Sequence, residues 1–211
     1  MSARSRISLD FGAEPAEDLR FPTMTAARTV LYLSHEPECG GAEFSLLELM
    51  GAIDRLKYRP VLVTSAEGTL ARRARELDVP VHLVAWTSTT AALLRPGELA
   101  TIAKKESAVL VHANTLRAGY QGLRLGSPLV WHVRDMTYPW LARLACGRAA
   151  RVIANSNATA GTLGVGADKV RVVYNGVAPV YFSDRGRALR PEPDADMVLL
   201  GVIGRLDPWK G

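Results

Sequence analysis

At 211 residues, with 48% hydrophobic and 22% charged side chains, the chain has the make-up of a folded protein with one good core, or of one domain and part of a second. Its net charge of +5, from 26 Lys and Arg against 21 Asp and Glu, suits an anionic ligand such as a nucleotide phosphate, or an anionic membrane surface. The composition speaks against nucleic acid, since no Lys/Arg run with interleaved aromatics occurs, and against a disulfide scaffold, since Cys39 and Cys146 are the only cysteines.

Residues 1–28 hold Pro15, Pro22 and scattered charges without a period, and read as a flexible tail. Arg4 and Arg6 are not followed by an apolar core, so no secretory signal is read, and no apolar run nears the ~18 residues of a membrane span. The protein is therefore expected to be cytoplasmic. Met24, just ahead of the first strand, is a candidate start.

From Val30 the chain alternates. Val30–Leu33 is a predicted strand, followed by a loop with Pro37 and the pair Gly40-Gly41. A helix over Ala42–Asp54 comes next, with Leu46, Leu49, Met50 and Ile53 at i, i+3, i+4 and i+7. Strand, glycine turn and helix is a geometry that aims backbone N–H groups at an anion, and it is equally a plain tight turn. Cys39 in this loop reads as a small filler residue, because no activating base stands beside it in sequence.

Strands follow at Pro60–Thr64, Val79–Val84, Ala108–His112, Leu129–Val133, Val152–Ala154 and Val170–Tyr174, and helices at Gly68–Leu77, Pro96–Lys105, Thr115–Leu125 and Trp140–Ala150. Ser156 caps a last short helix. Strands this short and this continuously apolar belong to a parallel sheet buried on both faces, so the fold class is α/β, a doubly wound Rossmann-like sheet over residues 29–182.

Ligands of such sheets sit beyond the carboxyl ends of the strands. The residues there are Ser34-His35, Thr64-Ser65, Trp86-Thr87-Ser88, His112-Ala113-Asn114-Thr115, His132-Val133-Arg134-Asp135, Asn155-Ser156 and Asn175-Gly176. Each carboxyl end carries a polar cluster, and a site along that edge is expected.

Arg185–Asp196 is polar, holds Pro191 and Pro193, and breaks the pattern, so residues 183–196 read as an interdomain linker. Met197–Ile203 then has the look of a buried strand, followed by the loop Gly204–Gly211. A lone strand cannot satisfy its backbone groups, so residues 197–211 are read as the first strand and loop of a second domain that is missing from the sequence.

Four pieces of this chain resemble glycosyltransferase family 4, of two-domain GT-B architecture. They are Gly40-Gly41-Ala42-Glu43, His132-Val133-Arg134-Asp135, Val173-Tyr174-Asn175-Gly176-Val177, and Gly204-Arg205-Leu206 with Trp209-Lys210-Gly211. The resemblance covers Val30 to Gly211 and implies the acceptor-side domain plus the start of the nucleotide-sugar domain. It implies transfer of a sugar from a nucleotide-diphosphate sugar to an acceptor, with retention at the anomeric carbon and with neither metal nor cofactor.

Carried over by residue, the resemblance places His132 beside the reacting sugar as the catalytic candidate. Gly40, Gly41, Arg205 and Lys210 fall to the donor diphosphate, since fixed cations and backbone N–H groups stabilise charge on a departing diphosphate. His112, Asn114, Arg134, Asp135 and Asn175 are the candidate acceptor or sugar contacts. Plainer roles stand beside these. His132 could be a hydrogen-bonded core histidine, Arg134 and Asp135 could pair with each other, and Glu43 could simply cap its helix. The basic face with Arg72 and Arg75 is read as solvated, and a membrane-surface role toward a lipid-linked acceptor stands as a further partner expectation.

The family's later glutamate-containing motif has no counterpart in these residues, so the 211-residue chain is expected to transfer no sugar by itself. Two other readings fit the same residues: an epimerase-like GT-B relative, and a non-enzymatic α/β binding module. Acceptor choice is expected in the loops Trp86–Arg95 and Thr137–Trp140.

Overall fold

The computed structural model describes residues 26–85, 97–134, 139–177 and 179–182. The expected tail up to residue 25, the loop Trp86–Arg95, Asp135, the linker 183–196, and the final strand and loop with Arg205 and Lys210 lie outside the described residues.

The described residues form a seven-stranded, wholly parallel sheet: β1 (Arg28–Leu33), β2 (Tyr58–Thr64), β3 (Val81–Leu83), β4 (Ala108–Ala113), β5 (Leu129–Val133), β6 (Arg151–Ala154) and β7 (Val170–Val172). The helices are α1 (Gly41–Ala52), α2 (Thr69–Glu76), α3 (Gly97–Lys105), α4 (Leu116–Gly122), α5 (Pro139–Cys146) and α6 (Asn157–Leu163), with a 3-10 turn over Pro179–Phe182. Arg28, expected as the end of a tail, is instead the first residue of β1, opposite Tyr58.

Strand order is β3-β2-β1-β4-β5-β6-β7. The chain runs outward from β1 to β3, returns to the far side of β1, and runs outward again. This is the Rossmann-like order, and its reversal falls between β1 and β4.

The alternation along β1 sorts the core into two layers. Val30 and Tyr32 join Leu62 under Leu46, Leu47 and Met50 of α1 and Leu70 and Ala74 of α2. Leu31 and Leu33 face the other way, with Val63, Val111, Trp131 and Val152, against Ile102 of α3, Ala118 of α4, Cys146 of α5 and Leu163 of α6. Burial on both faces is why the strands read as unbroken apolar runs.

One helical face differs from expectation. Leu46 and Met50 are buried, but Leu49 is 37% exposed and Leu47 takes its place in the core. The reason is positional, because Leu49 looks into the cavity described next.

Candidate active site

The order reversal sends α1 to one face and α4 to the other, and in sheets of this order the crevice lies at the carboxyl ends of the strands flanking the reversal, here β1 and β4. Across it, His35 Nδ1 lies 2.9 Å from Thr115 Oγ1, and Thr115 also caps α4 by accepting from Ala118 N–H. Burial, ahead of the neighbouring charges, holds the His35 pKa below its ordinary value.

The glycine turn closes on its own helix. Glu43, 4% exposed, accepts from Gly40 N–H at 3.2 Å and from the Ser34 hydroxyl at 3.1 Å. This is the returning half of a capping box, and Gly40 has no side chain to supply the other half. The carboxylate therefore fills the position where a helix N-terminus favours negative charge. Gly40 has given its N–H to it. Gly41 borders open space, with nothing beyond its chain neighbours and its own helix backbone within 4 Å of where a Cβ would stand.

Arg134, just past β5, is the hub. Its Nε donates to Asn114 Oδ1 at 2.9 Å and its Nη1 to Asn175 Oδ1 at 2.8 Å. Its Nη2 donates to His132 Nδ1 at 3.2 Å. Asn155 Nδ2 donates to the Arg134 carbonyl, and Thr159 of α6 holds Asn155 in turn. Asn114 Nδ2 donates to the Ala42 carbonyl at 3.1 Å, and the Ser45 hydroxyl reaches Asn175 Oδ1 at 3.4 Å. The ends of β4, β5, β6 and β7 are thus tied to the head of α1.

Beside this network lies a cavity of about 370 Å³. His112, His132 and Ile153 form its floor, Leu49, Val173, Tyr174 and Val177 its apolar walls, and Ser45, Glu48 and Asn175 its polar rim. His112 stacks obliquely on Tyr32 at 5.1 Å and meets His132 edge-on at 5.8 Å. Nε2 of both histidines is buried with no hydrogen-bond partner among the described residues. Burial pulls the His112 pKa down to about 4, with Arg134 adding to it. It pulls His132 to about 3, helped by Arg134 and then His112. Both rings are therefore neutral at neutral pH. Burial also lowers Arg134 to about 10, against the pull of Glu43.

Of the residues expected from sequence, the structure brings His112, His132, Arg134 and Asn175 together at one cavity, with Gly40 and Gly41 at the head of the adjoining helix. Asn114 is fully buried with both ends of its amide engaged, so it holds Arg134 rather than reaching outward. Arg134 binds two carboxamides and a histidine, while its anticipated partner Asp135 lies outside the described residues. Ser34 and Asn155 stand in the strand-end clusters expected from sequence but carry no assigned role there, and Ser45, inside α1, has no such signal. Burial raises the Cys39 thiol pKa, in keeping with a filler residue. Arg75 pairs with Glu67 on the surface of α2.

Fold and cavity together define a Rossmann-like domain of the GT-B type, with a cavity at the carboxyl edge of the sheet. The chain belongs to Glycosyltransferase Family 4, whose family model matches residues 39–180. No curated protein sequence matches it.

Among solved structures, HepE (Alr3699) of Anabaena in complex with UDP is 24% identical, with a TM-score of 0.58 over 76% of this chain and 50% of that one. A glycosyltransferase from Rickettsia africae ESF-5 is 20% identical, with a TM-score of 0.60 over 79% of this chain and 47% of that one. A Listeria monocytogenes protein described as a UDP-N-acetylglucosamine 2-epimerase is 12% identical, with a TM-score of 0.52 over 69% and 44%. At these identities the likeness shows a shared fold. The chain spans about half the length of the structures it matches. Among the described residues no helix is long and apolar enough to cross a membrane.

Proposed function

We propose that this chain is the acceptor-side half of a retaining, metal-independent glycosyltransferase that moves a sugar from a nucleotide-diphosphate sugar to an acceptor. The observation that carries the reading is the convergence of His112, His132, Arg134 and Asn175 on one cavity at the carboxyl edge, in a chain of Glycosyltransferase Family 4. The structures of HepE with UDP and with UDP-glucose support a nucleotide-sugar donor.

In this reading the bond from the anomeric carbon to the diphosphate oxygen breaks, and a bond to an acceptor hydroxyl oxygen forms. The hydroxyl proton ends on the departing diphosphate. His132 faces the reacting sugar. Arg134, His112 and Asn175 meet the sugar or acceptor, together with Asp135. Asn114 holds Arg134 in place. Gly41, with Gly40 beside it, borders the diphosphate, whose developing charge Arg205 and Lys210 offset. The apolar walls at Leu49, Val173, Tyr174 and Val177 suit an acceptor with an apolar body, including one presented at the inner face of a membrane. Residues 1–211 alone transfer no sugar in this reading, which is supported by their spanning about half of the matched structures.

The test uses the protein of the full reading frame and a panel of UDP- and GDP-sugars, with nucleotide-diphosphate release measured with and without acceptor extracts. Acceptor-dependent release is expected, falling by roughly 100-fold or more in H132A if His132 supports the transition state. Donor turnover that needs no acceptor would favour the epimerase-like reading. A folded protein that binds no nucleotide diphosphate would favour a binding module.

A further inference from the structure

Arg134 sets the chemistry of His132 as well as lining the same cavity. Its Nη2 stands 3.2 Å from His132 Nδ1. A guanidinium nitrogen only donates, so Nδ1 is the acceptor. A neutral imidazole whose Nδ1 accepts carries its proton on Nε2. The guanidinium is oriented for this contact by two further bonds, from Nε to Asn114 and from Nη1 to Asn175. His132 lines the cavity, and its Nε2 is buried without a partner among the described residues.

We propose that Arg134 is a positioning residue that locks the His132 imidazole neutral with its proton on Nε2, so that His132 meets a ligand oxygen, hydroxyl or phosphate, as a hydrogen-bond donor and not as a general base. The lock is a property of the chain itself, and its part in transfer rests on the reading above.

The surroundings agree. His112 on β4 approaches edge-on and adds no negative charge. Glu43 at the head of α1 acts on Arg134, and Glu48 of α1 and Tyr174 beyond β7 line the same cavity. No described carboxylate bonds to His132, so nothing there favours an imidazolium. Burial first, then Arg134 and His112, keeps its pKa low.

The test is long-range 15N–1H correlation of the histidine rings in the labelled 211-residue chain. His132 is expected to show a protonated Nε2 and a bare Nδ1, unchanged from about pH 8 to about pH 5, where an ordinary histidine titrates. In R134M the single-tautomer signature is expected to be lost and titration to move up. R134K, which keeps a charged donor, is expected to restore the signature.

A proton on Nδ1, or an imidazolium at neutral pH, in the unaltered chain overturns the proposal. So does an R134M spectrum identical to that of the unaltered chain. The measurement on the unaltered chain decides the tautomer even if R134M fails to fold. A locked tautomer in a full-length protein without transferase activity sinks the transferase reading alone, and an active transferase with a bare Nε2 sinks the lock alone.

Discussion

Asn114 joins Arg134 to the first turn of α1: its Oδ1 accepts from Arg134 Nε at 2.9 Å while its Nδ2 donates to the Ala42 carbonyl at 3.1 Å. It is fully buried, so neither end of its amide is open to solvent. The N114A variant strands a guanidinium nitrogen and a carbonyl together. A loss of about 1–3 kcal/mol is expected, seen as a lower urea midpoint at unchanged slope. An unchanged midpoint would show that the network carries no stability.

Acid should weaken the fold through His112, which is 5% exposed. Its folded pKa is about 4, while an unfolded chain protonates the ring near 6.5. Between these values the unfolded state binds a proton that the folded state refuses. Stability is therefore intact above about pH 6.5 and falls as the pH is lowered toward about 4, by about 3 kcal/mol for this ring. H112F is expected to flatten this acid limb. Urea midpoints at about pH 7.5 and about pH 4.5 check it, and equal acid losses in both proteins would refute it.

Gly119 cannot accept a methyl group. An added Cβ would stand 1.8 Å from Cε2 of Trp131, which is fully buried and donates from Nε1 to the Thr115 carbonyl at 3.0 Å. G119A should lose at least ~1–3 kcal/mol through overpacking. The melting temperature should drop by about 2–4 °C for each kcal/mol in a domain of this size. A melting curve that does not move would mean that α4 can lift off the sheet at no cost.

Glu43 closes the glycine turn through two donors, Gly40 N–H and the Ser34 hydroxyl. E43A leaves both unsatisfied and should cost about 1–3 kcal/mol. E43Q keeps an acceptor oxygen for one of them and should lose less. Hydrogen exchange at the Gly40 amide reads the bond directly, and equal protection in all three proteins would count against it.

The sheet was legible because burial on both faces leaves each strand one pattern, an unbroken apolar run; Leu129–Val133 matches its expected bounds. Less legible was where such a run stops pairing. Val173 and Tyr174 continue the apolar pattern of β7, but the strand ends at Val172 and Tyr174 is exposed at the cavity wall. Leu49 and Leu47 both fit a helical stripe, and only the position of the cavity decides which is buried.

The site was legible as polar residues at strand ends, which is how His132, Arg134 and Asn175 were found. Their connections were not, since Arg134 and Asn175 lie 41 residues apart and Ser45 and Asn175 lie 130 apart. Nor does the sequence say which polar residue turns inward, as Asn114 does. Gly119 inside an expected helix was a signal of close packing that only the approach of Trp131 explains.

The strand-end segment Val173–Val177 is both a wall of the cavity and the stretch by which the chain leaves the sheet. Asn175 within it grips Arg134 from one side and is touched by Ser45 from the other. A pull on this exit is thus delivered to the guanidinium without passing through the core, as a tug on a tether is felt at its knot.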